Sequence, residues 1–137
     1  MASTFGAMYD SVLDRYCELA TLGGVAYYLI QTGSFAGAVI AFVALTGSIM
    51  VSYVRARAEG LGLECKIGFM QRPERVVVTS VATLATGITG QISGYQPGAE
   101  GFNPDIILVA AMCVIAVFAN LTAIARINHS RKLLGRN

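Results

Sequence analysis

Three stretches of the chain hold no charged residue: 35–54 (FAGAVIAFVALTGSIMVSYV), 76–94 (VVVTSVATLATGITGQISG) and 106–125 (IILVAAMCVIAVFANLTAIA). As helices rising 1.5 Å per residue, each is long enough to cross a hydrocarbon layer of roughly 30 Å. A fourth apolar run, LATLGGVAYYLI at 19–30, is too short alone. It reaches a spanning length if its helix starts near Phe5. The pattern predicts an all-α, polytopic membrane protein with four transmembrane helices, about 5–30, 35–57, 74–94 and 105–127, joined by short loops.

Composition sharpens this choice. The chain is 55% hydrophobic and only 13% charged, where a soluble domain carries about 25% charge. A soluble fold of 14.4 kDa has too little core to hide three such uncharged stretches. The first residues lack the basic region, apolar run and cleavage site of a signal peptide, so none is expected. Cys17, Cys65 and Cys113 are odd in number and far apart, with no CxxC pair. They suggest neither a disulfide framework nor a zinc site, and packing roles suffice for Cys17 and Cys113.

The charges sort by loop. Segment 31–34 (QTGS) has none, and 95–105 (YQPGAEGFNPD) has two acids and no base. The ten Lys and Arg fall on the other side: Arg15, then Arg55, Arg57, Lys66, Arg72 and Arg75, then Arg126, Arg131, Lys132 and Arg136. By the positive-inside rule, both termini and loop 55–75 are expected in the cytoplasm, with the chain in the cytoplasmic membrane. Arg131, Lys132 and Arg136 read as orientation and lipid-headgroup charges. Aromatic residues do not alternate with the bases, and no nucleic-acid partner is expected.

The first helix opens with acids. Asp10 and Asp14 are four apart and share one helix face, which Glu18 continues. Like charges so placed repel one another, and immersion in hydrocarbon raises the cost. Arg15 is poorly aligned to offset them. A hard divalent cation, Mg²⁺ or Mn²⁺, would hold both carboxylates ionised, so Asp10 and Asp14 are candidate metal ligands. The bland alternative makes Asp10 a helix-end charge at the interface. Gly6, one turn earlier, leaves room for a substrate or helix to approach the backbone. For Glu18, an arginine partner from another helix and a catalytic role both remain open. The other acids offer no second helical pair, so half of a two-metal cage is absent.

A basic counterpart follows in SYVRARAEGLGLECKIGFMQRPER. Ser52, Arg55 and Glu59 share a face by spacing, Arg75 starts the third span after Pro73, and Arg126 ends the fourth. Arg55, Arg75 and Arg126 could converge on a dianion, since guanidinium matches phosphate through paired donors. Snorkelling anchors are the alternative, strongest for Arg57 and Arg72.

GAMYDSVLD, with SYVRARAE and QRPER, resembles the CDP-alcohol phosphatidyltransferase family. That family's signature is D-x-x-D-G-x-x-A-R followed by G-x-x-x-D-x-x-x-D. Gly6, Asp10 and Asp14 match its second half, and the first half has no counterpart here. The resemblance implies a six-helix membrane fold of which this chain is similar to the last four helices, and an N-terminally incomplete chain. It implies a transferase of phospholipid biosynthesis that moves a phosphatidyl group from a CDP-diacylglycerol-like lipid to a polyol hydroxyl, releasing CMP. Asp10 would bind metal, and Asp14 would bind metal and act as the base. SYVRARAE is similar to the branch that makes phosphatidylinositol phosphate, where Ser52, Arg55, Arg75 and Arg126 would hold the acceptor's phosphate. Inositol phosphate is the expected acceptor and glycerol phosphate its main competitor. Membrane lipids are the remaining expected partners, with a homodimer left open.

A four-span scaffold or small transporter is the competing class. A transporter should show polar groups near mid-membrane. Here only Thr46, Thr79, Thr83, Thr86 and Asn120 qualify, and such residues commonly serve helix packing. Gly37, Gly47, Gly87 and Gly90 suit packing as well.

Overall fold

The structure, a computed structural model, describes residues 3–97 and 100–135. It contains four helices, α1 (Thr4–Gln31), α2 (Phe35–Gly60), α3 (Arg72–Ser93) and α4 (Asp105–Leu134). Arg136, counted among the orientation charges, lies outside the described residues.

Local chemistry sets each boundary. Ser3 caps α1, its Oγ accepting the Gly6 N–H at 2.9 Å, which satisfies one of the free donors of a first turn. Gly33, at φ +81°, turns the chain so that α2 runs back along α1. Pro73 lies in the first turn of α3, where its missing N–H costs nothing. Gly94 ends α3 in the left-handed conformation at φ +60°. Asn103 Oδ1 accepts the Asp105 N–H at 2.9 Å and opens α4.

The helices pack in the order α1, α2, α4, α3, with α2 against α4 as the central contact. Leu29, Ala41, Ala44, Met112, Ile115 and Ala119 form the buried seam. Small residues make the close crossing possible. A Cβ on Gly47 would sit 2.5 Å from Asn120 Nδ2, and one on Gly37 would sit 2.7 Å from Val109 Cγ2. Asn120 meets its own polar needs by donating to Ala116 O at 2.7 Å and Val43 O at 3.3 Å. These three residues therefore serve packing. Gly87 does not: nothing approaches the Cβ position there within 4 Å.

Three helices, α2, α3 and α4, are long and apolar enough to cross a membrane. Their outward faces carry large apolar side chains, including Phe42, Leu84 and Ile92, which water would not support in such number. The chain is an all-α polytopic membrane protein with three clearly apolar candidate spans. The 28 residues of α1 would be long enough, but the helix carries Asp10, Asp14, Arg15 and Glu18, and it falls short on composition.

Candidate functional site

One cavity of about 560 Å³ opens where the N-terminal half of α1, the C-terminal end of α2, the start of α3 and the end of α4 meet. Helical spacing delivers its lining. Asp10 and Asp14 come from α1, Ser52, Arg55 and Glu59 from α2, Arg72 and Arg75 from α3, and Arg126 from α4. Six of the seven residues expected at a site thus lie around one space. Gly6 does not line it, and a Cβ there would lie 3.1 Å from the capping Ser3 Oγ.

The cations differ in what they are free to do. Arg75 is buried and grips Glu18 Oε1 through Nε at 2.8 Å and Nη2 at 2.7 Å. Its Nη1 donates to Met70 O at 2.9 Å. Glu18 thus has the interhelical arginine partner, and Arg15 Nη1 stands 3.5 Å from its other oxygen. Arg126, also buried, faces main chain: Nε donates to Ile67 O and Nη1 to Val51 O, each at 2.7 Å. It ties the 61–71 connection and the end of α2 to α4. Gly68 completes that tie, since its φ of +129° suits glycine and a Cβ there would strike Thr122. Arg55 is half-exposed and bonds Glu59 Oε1 at 2.8 Å along its own helix, a contact of small energy. Of the three arginines expected to converge on a dianion, Arg55 is the one whose existing partner is easiest to displace.

Arg72, expected to be a snorkelling anchor, instead crosses from α3 to α1, with Nη2 2.8 Å from Asp14 Oδ1. The available signal was its position three residues before Arg75, which puts both on one helix face. Asp10 is exposed and has no ion pair among the described residues.

The two α1 carboxylates present hard oxygen donors of the kind Mg²⁺ and Mn²⁺ take. Among the described residues, no three His, Cys, Asp or Glu side chains come close enough together to hold an ion. The residues present therefore fit a divalent ion as part of a larger coordination shell. The cavity as a whole sets five arginines (Arg15, Arg55, Arg72, Arg75 and Arg126) against three carboxylates (Asp10, Asp14 and Glu59). Its surplus of guanidinium suits a phosphate-bearing ligand at the membrane face.

No protein-family model matches the chain. Curated relatives do. The chain is 36% identical over 110 residues to the archaetidylinositol phosphate synthase of Methanothermobacter thermautotrophicus, covering 80% of this chain and 50% of that protein. It is 34% identical over 125 residues to the phosphatidylinositol phosphate synthase of Cutibacterium acnes, covering 90% and 58%. The solved phosphatidylinositol phosphate synthase of Mycobacterium tuberculosis, determined with CDP-DAG bound, superposes with a TM-score of 0.77 at 25% identity, covering 93% of this chain and 59% of that one. In fold and sequence the chain is therefore similar to phosphatidylinositol phosphate synthases and an archaetidylinositol phosphate synthase, and it spans about half the length of the curated relatives it matches.

Proposed function

We propose that the chain forms the acceptor-side part of a transferase that moves a phosphatidyl group from a CDP-diacylglycerol-like lipid to a polyol phosphate, with release of CMP. The observation that carries this reading is the single cavity joining the α1 carboxylates to arginines of α2, α3 and α4.

The chemistry follows from the lining. Asp14, held at 2.8 Å by Arg72, takes the proton of the acceptor hydroxyl as that oxygen bonds to the phosphorus bearing the diacylglycerol. The bond from that phosphorus to the CMP oxygen breaks, and CMP leaves with the electron pair. Ser52 and Arg55 bind the acceptor's phosphate. Arg75 and Arg126 border the same space, with their guanidiniums committed to Glu18 and to main-chain carbonyls. Their part in acceptor binding is to shape the pocket and to contribute positive field. Asp10 and Asp14 would hold Mg²⁺ or Mn²⁺, which supplies charge neutralisation at the diphosphate when bound. Inositol phosphate is the acceptor we favour, since the matched relatives are named for inositol phosphate products.

We also read α1 as a fourth span whose charged half lies at the cytoplasmic face. Asp14 and Glu18 are compensated there by Arg72 and by Arg15 and Arg75, and the basic residues of all four helices gather at that end. The test is transfer of labelled phosphatidyl group by a fusion joining the N-terminal half of the Cutibacterium acnes synthase to this chain. Inositol phosphate and glycerol phosphate are supplied in parallel, following lipid product and CMP. Product with inositol phosphate is expected. Preference for glycerol phosphate would overturn the acceptor, and CMP release without lipid product would overturn transfer.

A further inference from the structure

A second recess lies on the outer surface at the same membrane face. Beyond Gly47, where α2 and α4 are in closest contact, the two helices leave a groove of about 520 Å³. Met50, Tyr53, Val54, Leu61, Ile127 and Leu134 supply an almost wholly apolar lining. Five of these six side chains are strongly exposed, Val54 being the exception. Tyr53 also borders the polar cavity, so one residue lines both.

Arg57 and Arg131 complete the groove. Several other charges at this face are paired: Asp14 with Arg72, Glu18 with Arg15 and Arg75, Glu59 with Arg55, and Glu64 with Lys66. Among the described residues, Arg57 and Arg131 have no carboxylate partner. An apolar slot lined by two uncompensated guanidiniums suits a ligand with a long apolar body and a phosphate head.

We propose that this groove holds one anionic phospholipid, an acyl chain along the slot and the phosphate between Arg57 and Arg131. A free phosphate would leave the slot unused. The inference rests on the membrane-embedded fold and not on the transferase reading.

The test is native mass spectrometry of the chain in detergent micelles titrated with phosphatidylglycerol or with phosphatidylcholine of the same acyl chains. One tightly held phosphatidylglycerol per chain is expected, with phosphatidylcholine held at least tenfold more weakly. The double variant R57Q/R131Q should bind phosphatidylglycerol about thirtyfold more weakly, from about fivefold per arginine. R57K/R131K should stay within about threefold of the unaltered chain, because both cations remain. The charge-matched control K66Q/K132Q, outside the groove, should do the same. Equal affinity for the two lipids in the unaltered chain would overturn the proposal without recourse to any variant. Equal losses in R57Q/R131Q and K66Q/K132Q would also overturn it, as bulk charge would then explain binding. So would efficient Leu61→Cys cross-linking between two chains, which would assign the groove to a second copy.

Discussion

The Glu18–Arg75 pair makes the sharpest demand on the structure. Both side chains are nearly inaccessible, at 7% and 2%, and the guanidinium Nε donates to a carboxylate oxygen at 2.8 Å while Nη2 stands 2.7 Å from the same oxygen. Glu18→Gln keeps the shape and an acceptor oxygen but removes the charge, leaving a buried guanidinium that faces only a neutral amide and Met70 O. Breaking a buried pair from one side costs about 3–5 kcal/mol, because the abandoned charge stays desolvated. Here Arg15 is also deprived of its carboxylate, 3.5 Å away, which keeps the expectation near the upper half of that range. The exposed Arg55–Glu59 pair has the same 2.8 Å geometry with side chains 43% and 48% accessible, so Glu59→Gln should cost under about 1 kcal/mol. Unfolding titrated with dodecyl sulfate in mixed micelles, followed by circular dichroism, measures both. The double variant Glu18→Gln/Arg75→Gln removes the unpaired charge and should recover at least half of the single-variant loss. A Glu18→Gln cost no larger than that of Glu59→Gln would refute the reasoning, as would a double variant whose loss is the sum of its singles.

Four further outcomes are expected. In the fusion, Asp14→Asn should lower turnover by at least about a hundredfold, while Arg55→Ala should chiefly raise the acceptor KM, seen by varying inositol phosphate at saturating lipid. Gly47→Ala should cost about 1–3 kcal/mol from contact with Asn120, whereas Gly87→Ala, in open space within α3, should stabilise by about 0.5–1 kcal/mol; the same detergent titration reads both, and equal effects would contradict the packing. Paramagnetic resonance of Mn²⁺ should find binding to this chain weaker than about 0.1 mM and lost in Asp10→Asn, since two carboxylates leave most coordination positions to water. Glu100→Cys, in a background without native cysteines, should react with an impermeant thiol reagent from outside intact cells, and reaction only after permeabilisation would reverse the orientation.

The sequence by itself determined much of the frame. Runs without charge can be stable in only one solvent, so three spans could be read directly from 35–54, 76–94 and 106–125. Spacing within one helix is equally local, which is why Asp10 with Asp14 and Ser52 with Arg55 could be assigned to shared faces before any packing was known. Pro73 and Gly94 act through their own backbone preferences and bound α3 where such residues should.

Tertiary structure decided how the arginines are used. Seen in sequence, Arg55, Arg75 and Arg126 are equivalent candidates for one dianion, and Arg72 reads as a snorkelling anchor. In the fold, Arg72 reaches Asp14, Arg75 is locked to Glu18, Arg126 is spent on the carbonyls of Val51 and Ile67, and Arg55 keeps only a weak intrahelical partner. Those assignments depend on the distance between α1 and α3 and on the path of residues 61–71 beneath α4. Neither quantity is encoded in the spacing along a single helix. A guanidinium bonds to whichever acceptor the packed helices bring within 3 Å, and that acceptor lies 57 positions away for Arg75 and 75 for one donor of Arg126.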